Sequence, residues 1–152
     1  MSDHELRLRQ AVRLAQKNHS MGGRPFGAVL VFGEQVVATG VNEIMRTHDI
    51  SAHAEMGALR EACRLLERPN LAGGVMYASG QPCPMCLAAM VLAGIKEVYY
   101  AFGNEDAAPY GFSSAQVYEA LHLQLPVALP LNKLRLDGLT AESVYGPKAA
   151  RP

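Results

Sequence analysis

Three pieces of this chain carry side chains suited to holding a metal and moving a proton: His53-Ala54-Glu55, Pro82-Cys83-Pro84-Met85-Cys86, and the isolated Asn42. A Cys-x-x-Cys step at the start of a helix aims two thiolates at one point, and an imidazole from elsewhere makes three ligands. Three protein ligands leave the fourth tetrahedral position to water, as a catalytic zinc requires. Soft thiolates plus imidazole select zinc over magnesium or calcium. A purely structural zinc needs a fourth protein ligand, and His48 is the one further histidine or cysteine close in sequence to either motif.

Glu55 follows His53 by two residues, so on a helix its side chain leaves on a different bearing. It reaches the water position without joining the ligand set. There it accepts a proton and later returns it to a ring nitrogen and a leaving amine, as general base and then acid. Each piece alone has a plainer use. Cys-x-x-Cys also serves redox or structural roles, and histidine is often an interior residue. The ordered combination is stronger. His-x-Glu, then Pro-Cys-x-x-Cys about 30 residues later with a short strand between, is the signature of zinc deaminases. It implies one zinc per chain.

The elements that must position these groups are legible from spacing. Asp3 to His19 predicts a helix, with Leu6, Val12, Leu14 and Ala15 near helical spacing, Asp3 as cap and Met21-Gly22-Gly23 as stop. Ala28–Phe32 and Gln35–Val41 predict a hairpin turned at Gly33-Glu34. A polar loop from Asn42 to Ser51 leads to a helix over His53–Leu66. Val75–Ala78 predicts a strand, Met85–Ala93 a helix stopped by Gly94, and Val98–Phe102 a strand. Ser113–Leu121 suggests a helix, and Val127–Leu129 or Leu134–Leu136 a last strand. This order implies a mixed sheet with helices on both faces.

Composition narrows the function classes. The 152 residues fit one domain, 1–152, with 146–152 as a loose tail. Fourteen basic residues balance fourteen acidic ones, which argues against a broad nucleic-acid face. The three cysteines, Cys63, Cys83 and Cys86, do not suggest a disulfide framework, so a reducing cytoplasm is expected. The first residues are polar and charged, unlike a signal peptide. No apolar run approaches about 18 residues, so no membrane span is expected.

The chain resembles the cytidine-deaminase-like superfamily, and within it the guanine deaminase and tRNA-adenosine deaminase branch. The resemblance rests on Pro25-Phe26-Gly27-Ala28-Val29, Asn42, Ala52-His53-Ala54-Glu55, Pro82-Cys83-Pro84-Met85-Cys86, and Asp106-Ala107-Ala108 with Gly111-Phe112. It implies a three-layer α/β/α domain around a mixed five-stranded sheet, with zinc between two helix N-termini. It implies that His53, Cys83 and Cys86 hold zinc and that Glu55 shuttles protons. The backbone amides of Ala54 and Cys83 would orient the water and the intermediate. A homodimer is implied as well.

The resemblance gives Asn42 a hold on the base edge, although an asparagine there also suits a turn that bonds its own backbone. Phe26 is a candidate stacking residue or a core aromatic. Asp106 is a candidate acceptor for a ring N–H, or a helix cap. Relatives commonly read Glu-Pro-Cys where this chain has Gln81-Pro82-Cys83. Their longer C-terminal cover is replaced by Glu142 and Tyr145, read here as surface residues, before a basic tail. His48 and Asp49 are candidate gate residues; His4, His19 and His122 read as surface, and Cys63 as a small buried hydrophobe. The expected reaction is hydrolytic deamination of a free small-molecule ring, guanine to xanthine first. Cytosine, pterin, aminotriazine and tRNA adenosine are alternatives, and a zinc-stabilised binding protein without turnover is a third.

Overall fold

The computed structural model describes residues 1–149. Helix α1 (Asp3–Ser20) leads into strand β1 (Gly27–Phe32) and strand β2 (Gln35–Val41). Then come the short helix α2 (Ile44–Thr47), helix α3 (Ala54–Leu66), strand β3 (Val75–Gly80), helix α4 (Pro84–Ala93) and strand β4 (Glu97–Phe102). The remainder holds helix α5 (Asn104–Ala107), a 3₁₀ turn (Ala108–Tyr110), helix α6 (Ala115–Ala120), strand β5 (Leu131–Lys133) and helix α7 (Ala141–Tyr145).

The five strands form one mixed sheet in the order β2-β1-β3-β4-β5. β1 runs antiparallel to β2 and β3, whereas β3, β4 and β5 are mutually parallel. Gly33, at φ +60°, makes the hairpin turn that the sequence predicts, and Phe32 pairs with Gln35 beside it. Alternation along the strands separates two cores. Ala28, Leu30, Ala38, Met76 and Val98 pack with α3 and α4. Val29, Val31, Tyr77 and Ala101 pack with α1 and α7 on the other face. The three layers match the architecture the resemblance implies.

Two glycines let the layers close. A Cβ on Gly27 would run into the Ala11 carbonyl of α1, and one on Gly40 into the Ala54 carbonyl of α3. These close approaches seat one helix on each face of the sheet. The buried stripe of α1 is Leu8, Ala11, Val12 and Ala15, with steps of three, one and three residues. Leu6, expected on that stripe, is 47% exposed. Its cap is Ser2, whose Oγ accepts from the Glu5 N–H at 3.2 Å; Asp3 is instead the first helical residue.

Three further expectations are corrected. The last strand is neither 127–129 nor 134–136: Leu131, Asn132 and Lys133 pair with Val98, Tyr99 and Tyr100. The loop after Asn42 holds a helical turn, α2. His4 is partly buried, with Nδ1 2.7 Å from the Tyr77 hydroxyl and its ring stacked on Tyr99 at 4.1 Å. Of the tail read as loose, 150–152 lie outside the described residues, and the Ala149 N–H donates to the Pro109 carbonyl at 3.0 Å. Among the described residues no helix is long and apolar enough to cross a membrane.

Candidate active site

Both motifs sit at helix N-termini on the same face of the sheet. His53 is the N-cap of α3 and Cys83 the N-cap of α4, each extended just before its helix, and neither uses its side chain to cap. Pro84 at the first turn of α4 presets the helical φ and needs no N–H partner. Free of capping duty, the two side chains turn to each other. Cys83 Sγ lies 3.5 Å from His53 Nδ1, Cys86 Sγ lies 3.6 Å from the same nitrogen, and the two sulfurs are 3.6 Å apart.

That triangle fits zinc. Zn–S bonds of about 2.3 Å and Zn–N bonds of about 2.0–2.1 Å in a tetrahedron put S–S edges near ~3.8 Å and S–N edges near ~3.6 Å. His53, Cys83 and Cys86 are the one three-donor cluster found among the described residues, and neither His48 nor Cys63 belongs to it. Three donors without a fourth are the open, catalytic type of site. Because His53 and Cys83 are the N-caps of α3 and α4, the unpaired N–H groups of both helix starts add a positive field near the cluster. Hydrogen-bond contacts with Cys86 and His53 outweigh burial and pull the Cys83 thiol down to about 4.

Glu55 stands in the first turn of α3, 6% exposed and outside the donor cluster. Burial, with Cys83 adding to it, pushes its carboxyl up to about 7, while its own backbone N–H and the His53 ring oppose the rise. A buried carboxyl poised near neutrality beside an open metal position has the attributes of a proton carrier.

The cluster lies in a cavity of about 560 Å³ whose walls include Phe26, Asn42, Ala54, Glu55, Gln81 and Phe112. Phe26 and Phe112 meet edge to face at 5.9 Å. Asn42 forms its turn and also faces the cavity. Its Oδ1 accepts from the Ile44 N–H at 3.0 Å, forming the turn, and the residue still lines the cavity. With that oxygen engaged, the amide N–H₂ is the end left for a ring acceptor. Gln81 Oε1 accepts from the Asn104 N–H at 3.0 Å, so the neutral side chain ties the approach to α4 to the start of α5.

Other candidates fall elsewhere. Asp106 does not line the cavity: its Oδ2 accepts from the Gly103 N–H at 2.9 Å, capping α5, and from Lys133 Nζ at 2.7 Å. Both partners engage the same carboxylate oxygen. Asp49 is bound to the Ser51 N–H and hydroxyl at 2.8 and 2.7 Å, and His48 is an exposed left-handed C-cap. Their neighbour Ile50 is the loop residue that reaches the cavity. Tyr145, read as surface, is 2% exposed, within about 6 Å of the Phe26, Phe102, Tyr110 and Phe112 rings. It backs the aromatic wall. Glu142 is exposed as expected. The sequence reading passed over Arg24, Met85, Ser113, Ser114 and Val117, which also line the cavity; only the charge of Arg24 beside Pro25-Phe26 could have signalled one of them.

An α/β/α sandwich with an open His-Cys-Cys site and a buried glutamate beside it defines a metal-dependent hydrolase of the deaminase type. The comparisons name its family. A model of the cytidine and deoxycytidylate deaminase zinc-binding region matches residues 1–102, and the chain belongs to that family, with zinc as its cofactor. The chain is 41% identical over 120 residues to a guanine deaminase of Bacillus subtilis, covering 78% of this chain and 77% of the relative. The crystal structure of guanine deaminase from Bacillus subtilis superposes with a TM-score of 0.76 at 38% identity, covering 90% of this chain and 88% of that one. A tRNA-specific adenosine deaminase of Buchnera aphidicola is 36% identical over 96 residues, covering 63% of this chain and 64% of the relative.

Proposed function

We propose that this chain hydrolyses the exocyclic amine of a free purine-like ring, guanine first, giving xanthine and ammonia. The observation that carries the reading is the placement of buried Glu55 beside the open three-donor site, inside a cavity with aromatic walls. The similarity to the Bacillus subtilis guanine deaminase supports the choice of ring.

His53 Nδ1, Cys83 Sγ and Cys86 Sγ would hold the zinc. When bound, zinc supplies the Lewis acid that brings the pKa of a water down to about 7. Every other part belongs to the chain. Phe26 and Phe112 flank the ring and exclude bulk water. The Asn42 amide donates to an acceptor on the ring edge, and the Ala54 N–H, at the first position of α3, donates near the reacting carbon. Glu55 takes a proton from the attacking water and gives it to the adjacent ring nitrogen. It then takes the second water proton to the amine. The C–N bond breaks, ammonia leaves, and the carbon keeps the water oxygen as a carbonyl. Negative charge developing on that oxygen faces the N-termini of α3 and α4, which favour it.

An ammonia-release screen over guanine, cytosine, adenine, pterins and triazines tests the reading, with Glu55→Gln as control. Identical release by both proteins from every ring ends it. Tight, salt-dependent RNA binding with no turnover of any free ring would move the reading to a tRNA adenosine. The balanced net charge speaks against that outcome.

One catalytic domain per chain, a homodimer and a cytoplasmic setting complete the proposal. The dimer is supported by α4, whose outer residues Val91 and Leu92 are 59% and 88% exposed although the helix is apolar on every side. A helix of that composition normally lies buried. The free thiols fit a reducing compartment.

A further inference from the structure

Arg24 puts a positive charge on the cavity wall that neither zinc binding nor proton transfer requires. Its backbone is fixed: the Arg24 carbonyl accepts from the Phe26 N–H and from Asn18 Nδ2, both at 2.8 Å, and Pro25 beside it is fully buried. Its guanidinium is exposed and takes no part in the ion pairs or side-chain hydrogen bonds found among the described residues.

The acids on the flanking loops are all engaged elsewhere. Glu43 pairs with Arg46, Asp49 with Ser51, and Glu105 and Asp106 with Lys133. The one acid in the cavity wall is Glu55, buried beside the metal donors. Ile50, Phe112, Ser113, Ser114 and Val117, also in the wall, are neutral. The cavity therefore presents one cation that no protein acid neutralises. A concave site lined this way concentrates ligands of the opposite sign.

We propose that Arg24 is a specificity-determining residue: it pairs with an anionic substituent, a carboxylate or a phosphate, carried by the amino-heterocycle whose amine lies at the zinc. The proposal rests on the deaminase reading and extends its substrate class from bare rings to acidic ring derivatives. A guanidinium is suited to this because its fork donates two parallel N–H bonds to either oxyanion. A bare neutral ring gives it no counterion. Because the group is exposed, its effect is moderate and screened by salt.

Equilibrium binding separates this role from turnover. Zinc-loaded Glu55→Gln protein is titrated by calorimetry with two pairs: pterin against pterin-6-carboxylate, and guanosine against guanosine 5′-monophosphate. The same titrations are run with Arg24→Met added. The expected result is that the acidic member of at least one pair binds about tenfold more tightly at low salt. That advantage shrinks at high salt and disappears with Arg24→Met. Which pair shows it tells carboxylate from phosphate. Equal binding within both pairs overturns the proposal, as does a preference that survives Arg24→Met. Ammonia release by the wild-type protein is read separately. Its absence from every ring ends the deaminase reading, whereas turnover without an Arg24-dependent preference ends only the role of Arg24.

Discussion

Gly40 and Ala54 touch backbone to backbone: a Cβ on Gly40 would overlap the Ala54 carbonyl and lie 2.8 Å from the Ala58 nitrogen. Strand β2 thus fixes the height of the first turn of α3, which carries His53, Ala54 and Glu55. Gly40→Ala must push that turn outward, at a cost of about 1–3 kcal/mol for overpacking a filled site. Ammonia release falls with it, because Glu55 leaves its place. Gly57 faces the same contact from the helix, but an added Cβ there meets Gly40 Cα at an ordinary 3.7 Å. Gly57→Ala gains helix propensity and is neutral or stabilising by up to about 1 kcal/mol. Urea unfolding of the two variants checks the contrast.

Glu55→Gln keeps the shape of the side chain and removes its basicity. The expected outcome is a fall in kcat of at least about 10²-fold with zinc content unchanged. In the proposed role the Glu55 carboxylate must be ionised to take a proton, and burial holds it up to about 7. Activity therefore declines as pH falls through an acid limb at or below about 7, since a neighbouring cation pulls a carboxyl down. A pH–rate profile with no acid limb at any pH where the protein stays folded would remove Glu55 from the proton path.

Metal analysis should find one zinc per chain. Cys86→Ala leaves two donors and loses the metal, together with ammonia release. Cys63→Ala keeps both, because Cys63 lies outside the donor cluster. A chelator should abolish release and added zinc restore it.

The donor set was legible in the sequence because local chemistry determines it. A proline-preceded Cys-x-x-Cys and a His-x-Glu each start a helix, and the fold needs only to bring two helix ends together. The hairpin was legible for the same reason, through Gly33. Asp106 was not, since a carboxylate three residues into a loop suits a cap and a ligand equally; Lys133, distant in sequence, decides it. Tyr145 was misread because its neighbours Phe26, Phe102 and Phe112 come from three other segments. The last strand was misplaced because its register is set by pairing with Val98–Tyr100 and not by its own pattern.

The exposed side of α4 gives the dimer a direct test. Leu92, 88% exposed, contributes nothing to the monomer core. Leu92→Glu places a charge at the centre of the face proposed to meet a second copy, where burial without a partner is costly. Sedimentation should show a dimer for the wild-type chain and a monomer for the variant, with the fold retained. A wild-type chain that sediments as a monomer at micromolar concentration would end the dimer proposal.

Glu55 also links stability to pH, and the sign can be worked out. Its carboxyl sits near 7 in the fold against an ordinary 4.5. Between those values the folded protein holds a proton that the unfolded chain has released. Stability from this group is therefore greatest at low pH and is lost as pH rises through about 7. The full difference is about 3–4 kcal/mol, from roughly 1.4 kcal/mol per pKa unit over that rise. Glu55→Gln has no such proton to lose. In zinc-depleted protein the stability of the variant relative to wild type should thus climb by about that amount from pH 4 to pH 8. The thiols titrate in both proteins and largely cancel in the difference. Zinc beside Glu55 favours the ionised carboxylate, so loading the metal should flatten the climb. Urea unfolding at several pH values, with and without zinc, measures both effects. Parallel pH curves for the two zinc-depleted proteins would mean that the carboxyl is already ionised well below neutrality in the fold.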